Sequence, residues 1–98
     1  MSKKLIPFDV ASFLDTDEAI GEYLTQVLAD GDSDEFVRAI GYVAKARGMS
    51  AIAQASGLGR ASLYKALSPG AKPRFDTVVK VMHALGMELR ATSVGGGA

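Results

Sequence analysis

The chain has 98 residues, 48% hydrophobic and 22% charged, which suits one small globular domain with a modest core and excludes a disordered chain. With no cysteine and a single histidine it holds no disulfide framework, no thiolate metal site and no catalytic triad of the usual kinds. The formal net charge is zero, a value that hides a strong asymmetry along the chain.

In chain order, residues 3–8 are apolar and interrupted by Pro7, which suits an edge strand or an extended arm but not a central strand. Residues 9–14 suit one helical turn. Residues 15–30 read as a helix: Asp15 followed by Glu18 resembles a capping box, and Ile20, Tyr23, Leu24, Val27 and Leu28 make one apolar stripe. Asp30-Gly31 stops it. Asp32 then caps a second helix, with Phe36, Val37, Ile40, Val43 and Ala44 facing the core and Gly48 at its end. Its acids stand at the start and its bases near the end, where the helix dipole favours each.

Residues 49–68 carry the organising pattern. Ser50 is expected as an N-cap, with Ile52, Ala53 and Ser56 on the inner face of a short helix. Gly57 allows the positive φ of a sharp turn, Leu58 plugs that turn, and a further helix starts near Arg60 with Leu63 and Leu67 inward. Ala53 precedes Gly57 by four residues and Leu63 by ten, which is the helix-turn-helix pattern. It turns Arg60, Ala61, Ser62, Tyr64 and Lys65 outward on a face that can enter a major groove. The same spacing also serves helix pairs that never touch DNA.

Residues 68–73 form a loop, because two prolines and a glycine forbid much else. Residues 74–85 are the last helix, with Phe75, Val78, Val79, Met82 and Leu85 inward and Gly86 after it. Residues 87–94 alternate apolar and polar, which predicts a short half-buried strand. A lone strand needs a partner, either residues 3–8 or the same strand of a second subunit. Residues 95–98 read as a flexible tail, so that residues 1–94 make a single domain.

Charge is distributed unevenly. From Asp9 to Glu35 every charge is acidic, and from Arg38 to Arg74 every charge is basic. Two opposed halves suggest two surfaces for two kinds of partner; the alternative is two solvated faces that pair with each other. On the basic side, Arg60 is placed to read a guanine edge, with Ala61, Ser62 and Lys65 beside it. Arg47, Ser50, Tyr64, Lys72 and Arg74 flank the motif as candidates for the phosphate backbone. Each of these cations has a plain alternative as a solvated charge, and the Tyr64 ring has one as a packing group. His83 reads as a surface or core-edge residue. No arrangement of nucleophile and base, metal ligands or a phosphate-cradling loop points to an enzyme, a metal or a cofactor. No apolar run approaches the ~20 residues of a membrane span, and MSKKLIPFDV lacks the apolar stretch of a signal peptide. A cytoplasmic location is the default expectation.

The runs FDVASFLDTDEAIGEYLTQVLADGD, ARGMSAIAQASGLGRASLYKAL and ALSPGAKPRFDTVVKVMHALGMEL together resemble the addiction-module antidote proteins, HigA-like antitoxins with a lambda-repressor-like helix-turn-helix. The resemblance covers roughly residues 8–89. It implies a five-helix, all-α domain that binds its own double-stranded operator, commonly as a homodimer, and neutralises a RelE-superfamily (HigB-like) ribonuclease toxin. By register, the family's DNA-reading positions fall on Arg60, Ala61, Ser62 and Lys65. Such toxins are basic, so Asp17, Glu18, Glu22, Asp30 and Asp34 are the expected toxin contacts. Gly59 stands where relatives often have a serine cap, and Ser62 near a position often acidic in them, so no operator preference is carried over. A phage-type repressor without a toxin, or an interaction module that no longer binds DNA, are the alternatives.

Overall fold

The computed structural model describes residues 15–95, which form five α-helices with no strand among them: α1 (Asp17–Asp30), α2 (Ser33–Arg47), α3 (Met49–Ser56), α4 (Arg60–Ala66) and α5 (Phe75–Ala84). The expected all-α class holds. Residues 3–8 and 9–14 lie outside the described range. No described helix is long and apolar enough to cross a membrane.

Local chemistry sets most of the boundaries. Asp32 caps α2 by accepting from the backbone N–H groups of Asp34 (3.0 Å) and Glu35 (3.2 Å). These are two of the donors that the start of a helix leaves unpaired. Asp32→Ala should therefore cost about 1 kcal/mol of stability, read as a shift in the urea midpoint at constant slope.

Two caps differ from the sequence expectation. Thr16, not Asp15, caps α1: its backbone is extended and its Oγ1 accepts from the N–H of Ala19 at 3.1 Å. Ser50 is not the cap of α3. Gly48, at φ 103°, ends α2 and starts α3 at once. Its N–H donates back to the Ala44 carbonyl (2.9 Å) and its own carbonyl accepts from Ile52 (3.1 Å). A joint of one residue leaves no room for a serine cap further on, and Ser50 sits exposed in the first turn of α3.

The core runs through all five helices. Ile20 and Leu24 of α1, Ile40 and Val43 of α2, Leu63 of α4 and Val81 of α5 are its largest fully buried side chains. The short α3 is the hub, packing on α2, α4 and α5 and burying Met49, Ile52 and Ala53. Val81, absent from the expected stripe, is fully buried, whereas Val79 is half-buried and Leu28 is 45% exposed.

Phe75 departs most from expectation. It is 71% exposed. It opens α5 one turn before Val78, so its stripe runs past the edge of the core.

The expected strand over residues 87–94 is absent. Helix α5 closes through Gly86, whose N–H donates to the His83 carbonyl while that of Met87 donates to the Met82 carbonyl at 2.9 Å. That is a Schellman ending. Beyond it the alternation persists without a ladder. Met87 and Leu89 lie against the core, while Glu88 and Arg90 stay exposed and pair at 2.9 Å. Alternation decides which side chains face inward; a strand also needs a neighbouring backbone to bond with, and no described segment supplies one.

Candidate nucleic-acid interface

The turn between α3 and α4 is built from its own side chains and glycines. Gly57, at φ 77°, donates its N–H to the Ala53 carbonyl at 3.0 Å. Ser56 donates its hydroxyl to the same carbonyl and accepts from the N–H of Leu58, which clips the turn shut. Leu58 packs partly into the core, as expected of a plug. Gly59 precedes α4 without a side-chain cap, and its carbonyl accepts from Leu63 at 3.0 Å.

Helix α4 is seven residues long and Leu63 is its one buried residue. Leu67 follows as the C-cap, half-buried. Its carbonyl lies 3.5 Å from where a Cβ of Gly41 would stand, so the end of α4 closes directly over α2. Sequence periodicity did not single out Gly41, because a glycine carries no hydrophobic signal.

With Leu63 inward, Arg60, Ala61, Ser62, Tyr64 and Lys65 are all exposed, as the register predicts. Arg60 and Tyr64 are one turn apart. The guanidinium donates to the Tyr64 hydroxyl at 3.4 Å and stands 5.6 Å from the centre of its ring. Tyr64, assigned from sequence to a phosphate, thus has Arg60 as its partner in the free chain.

Ser62 and Lys65 meet Lys72 and Arg74 along one open groove of about 760 Å³, walled by the 68–73 loop. Two base-reading candidates and two phosphate candidates therefore share a surface. Arg47 and Ser50 do not line it; they sit at the junction of α2 and α3. Lys45, passed over as a contact from sequence, lines a small hollow with Tyr64, Leu67 and Pro69. It makes no ion pair among the described residues. Only the packing of α2 beside α4 brings it near.

Three of the phosphate candidates are already engaged. Arg47 donates to Asp17 at 2.7 Å, Arg74 donates to Asp76 at 3.0 Å, and Lys72 pairs with Asp34. Two of these links join the acidic half to the basic half, so pairing of the halves accounts for Asp17 and Asp34. Glu18, Glu22 and Asp30 are exposed on α1 and make no ion pair among the described residues. His83 is exposed at the end of α5. No cluster of His, Asp or Glu among the described residues could hold a metal ion.

The Lys72 ammonium holds the Asp34 carboxyl below its ordinary value, by hydrogen bond first and charge second. The folded value is depressed, so the pairing is fully present above the ordinary carboxylate range and fades as pH falls through the lowered value. Lys72→Ala should raise the Asp34 titration toward the ordinary carboxylate value, followed by carboxyl chemical shifts in an NMR pH series.

A family model described as "Probable addiction module antidote protein" matches residues 4–93. An uncharacterized protein of Haemophilus influenzae strain Rd is 42% identical over 90 residues, covering 92% of this chain and 93% of its own length. No solved structure matches the chain. With nine-tenths of its length inside both matches, the chain belongs to the addiction-module antidote family.

Proposed function

We propose that this antidote is a HigA-like, DNA-binding antitoxin that represses its own operon and neutralises a RelE-superfamily ribonuclease. The observation that supports it best is the seven-residue α4, which buries Leu63 and leaves Arg60, Ala61, Ser62 and Lys65 exposed in the register of a recognition helix. The groove holding Ser62, Lys65, Lys72 and Arg74 adds cations beside that helix, where a phosphate backbone would run. As an autorepressor it would act as a homodimer on two half-sites one helical turn apart, about 34 Å. Catalysis has no part in this role.

A gel shift on the chain's own promoter tests the DNA side. Binding should be competed poorly by unrelated DNA and should weaken as salt rises. Equal binding to unrelated DNA, or none, leaves the interaction-module alternative. Co-purification with the product of the adjacent reading frame separates an antitoxin from a repressor without a toxin.

Glu18, Glu22 and Asp30, which make no ion pair among the described residues, are the candidates that remain to meet a basic toxin. Neutralising Glu18, Glu22 and Asp30 together should slow capture of the toxin several-fold at low salt, because charges at the rim of an interface act mainly on the association rate. Operator binding should be unchanged. A stopped-flow on-rate equal to wild type would reduce the acidic half to a solvated face.

A further inference from the structure

We propose that Phe75 and the apolar groove beside it form the surface on which a second copy of this chain docks. The inference rests on the homodimer proposed above and assigns its interface. A groove of about 310 Å³ runs between α2, α5 and the C-terminal segment, lined chiefly by Leu28, Phe36, Val37, Pro73, Val78 and Leu89. Phe75 stands on it, 71% exposed, and Leu28 on it is 45% exposed. Two large hydrophobic side chains left in water on one groove mark a contact surface rather than scattered apolar residues.

The choice of occupant follows from shape and charge. An interface between two copies related by a two-fold axis uses the same patch twice, so the patch must carry both a protrusion and a recess to receive it. Here Phe75, an exposed ring in the wall of the groove, offers the first and the groove offers the second. A strongly charged partner would require charge at the rim. Of the residues that line the groove only Lys72 and Asp34 are charged, and they pair with each other; Arg74 and Asp76, on either side of Phe75 in the chain, pair likewise. What remains is apolar and neutral, as at the centre of homodimer interfaces.

The location suits the proposed role. Ala71, Lys72 and Pro73 line this groove and also the open groove beside Ser62 and Lys65. One short loop separates the two surfaces. Two copies joined through Phe75 thus hold their α4 helices flanking a common seam.

Sedimentation of the full chain over a range of concentrations tests this. The wild type should be dimeric, and Phe75→Glu should weaken the dimer by about tenfold or more, the effect of losing a buried aromatic anchor. Because Phe75 is exposed, the variant should keep the wild-type circular dichroism. In a second measurement, p-benzoylphenylalanine placed at position 75 should cross-link to Leu28, Val37 or Leu89 of the other copy. A wild type that stays monomeric overturns the dimer and its surface together. A dimer that is indifferent to Phe75→Glu, with cross-links elsewhere or within one chain, overturns the surface and leaves the dimer standing. Cross-links that form only to a co-expressed toxin give the groove to another protein and also refute the proposal.

Discussion

Leu63→Ala is expected to destabilise the chain by about 2–5 kcal/mol, the range for truncating a fully buried leucine. Leu63 has no exposed surface and is the one buried residue that α4 contributes. A helix of seven residues has little stability of its own, because nucleation costs more than so few hydrogen bonds return. Tertiary packing must hold it, and that packing is mostly Leu63. The cavity would open where α4 meets the core, against a total stability that for small domains is about 5–15 kcal/mol. Urea unfolding should show the midpoint fall at constant slope. Leu67→Ala, at a half-buried site, should cost distinctly less. A loss below about 1 kcal/mol for Leu63→Ala would mean that the 68–73 loop, not the core, holds the helix.

Arg60→Ala should cost about 1–3 kcal/mol of operator affinity and relax preference at one base pair. Arg60 is exposed at the first position of α4, and its guanidinium already rests on Tyr64 at 3.4 Å from the hydroxyl. That contact limits the conformations the arginine must give up on reaching a base. Tyr64→Phe should therefore weaken binding by less than Arg60→Ala, and in the same direction. Lys72→Ala should weaken all sequences alike, since a phosphate contact carries no sequence information. Titrations against the operator and single-base variants of it separate these patterns. If Arg60→Ala binds normally with wild-type selectivity, the register assigned to α4 is wrong.

What was legible in the sequence was chemistry that acts over a few residues. Gly31, Asp32, Gly57 and most of the apolar spacing of α1 and α2 each state a local requirement, and the structure meets them. The misread caps are also local, but they depend on where the backbone turns. Thr16 and Gly48 win over Asp15 and Ser50 because their φ and ψ place them at the joints. Phe75 and residues 87–94 fail for a different reason. Periodicity says which way a side chain points, not whether an element lies there to cover it or a strand to pair with it. Least legible of all were the links between halves, since Arg47 and Asp17 are 30 residues apart and Lys72 and Asp34 are 38 apart. For the candidate site, the exposed face of α4 followed from the position of Leu63 alone. The shared groove with Lys72 and Arg74 needed the path of the 68–73 loop, and Lys45 needed the packing of α2 on α4.

The ion pairs of Arg47 and Lys72 bear on how this protein would respond to its ionic surroundings. A free lysine or arginine that moves onto DNA displaces a condensed counterion from the phosphate, and that release makes binding fall with salt. A cation drawn from an intramolecular pair behaves differently. The phosphate still sheds its counterion, but the abandoned carboxylate of Asp17 or Asp34 now attracts a cation of its own. That uptake offsets part of the release. Contacts made by Arg47 and Lys72 would hold the duplex in place while adding less to the salt dependence than free cations do, so ion release would undercount the residues at the interface. An operator held partly by borrowed cations is buffered against swings in cellular potassium that would loosen one held by free cations alone.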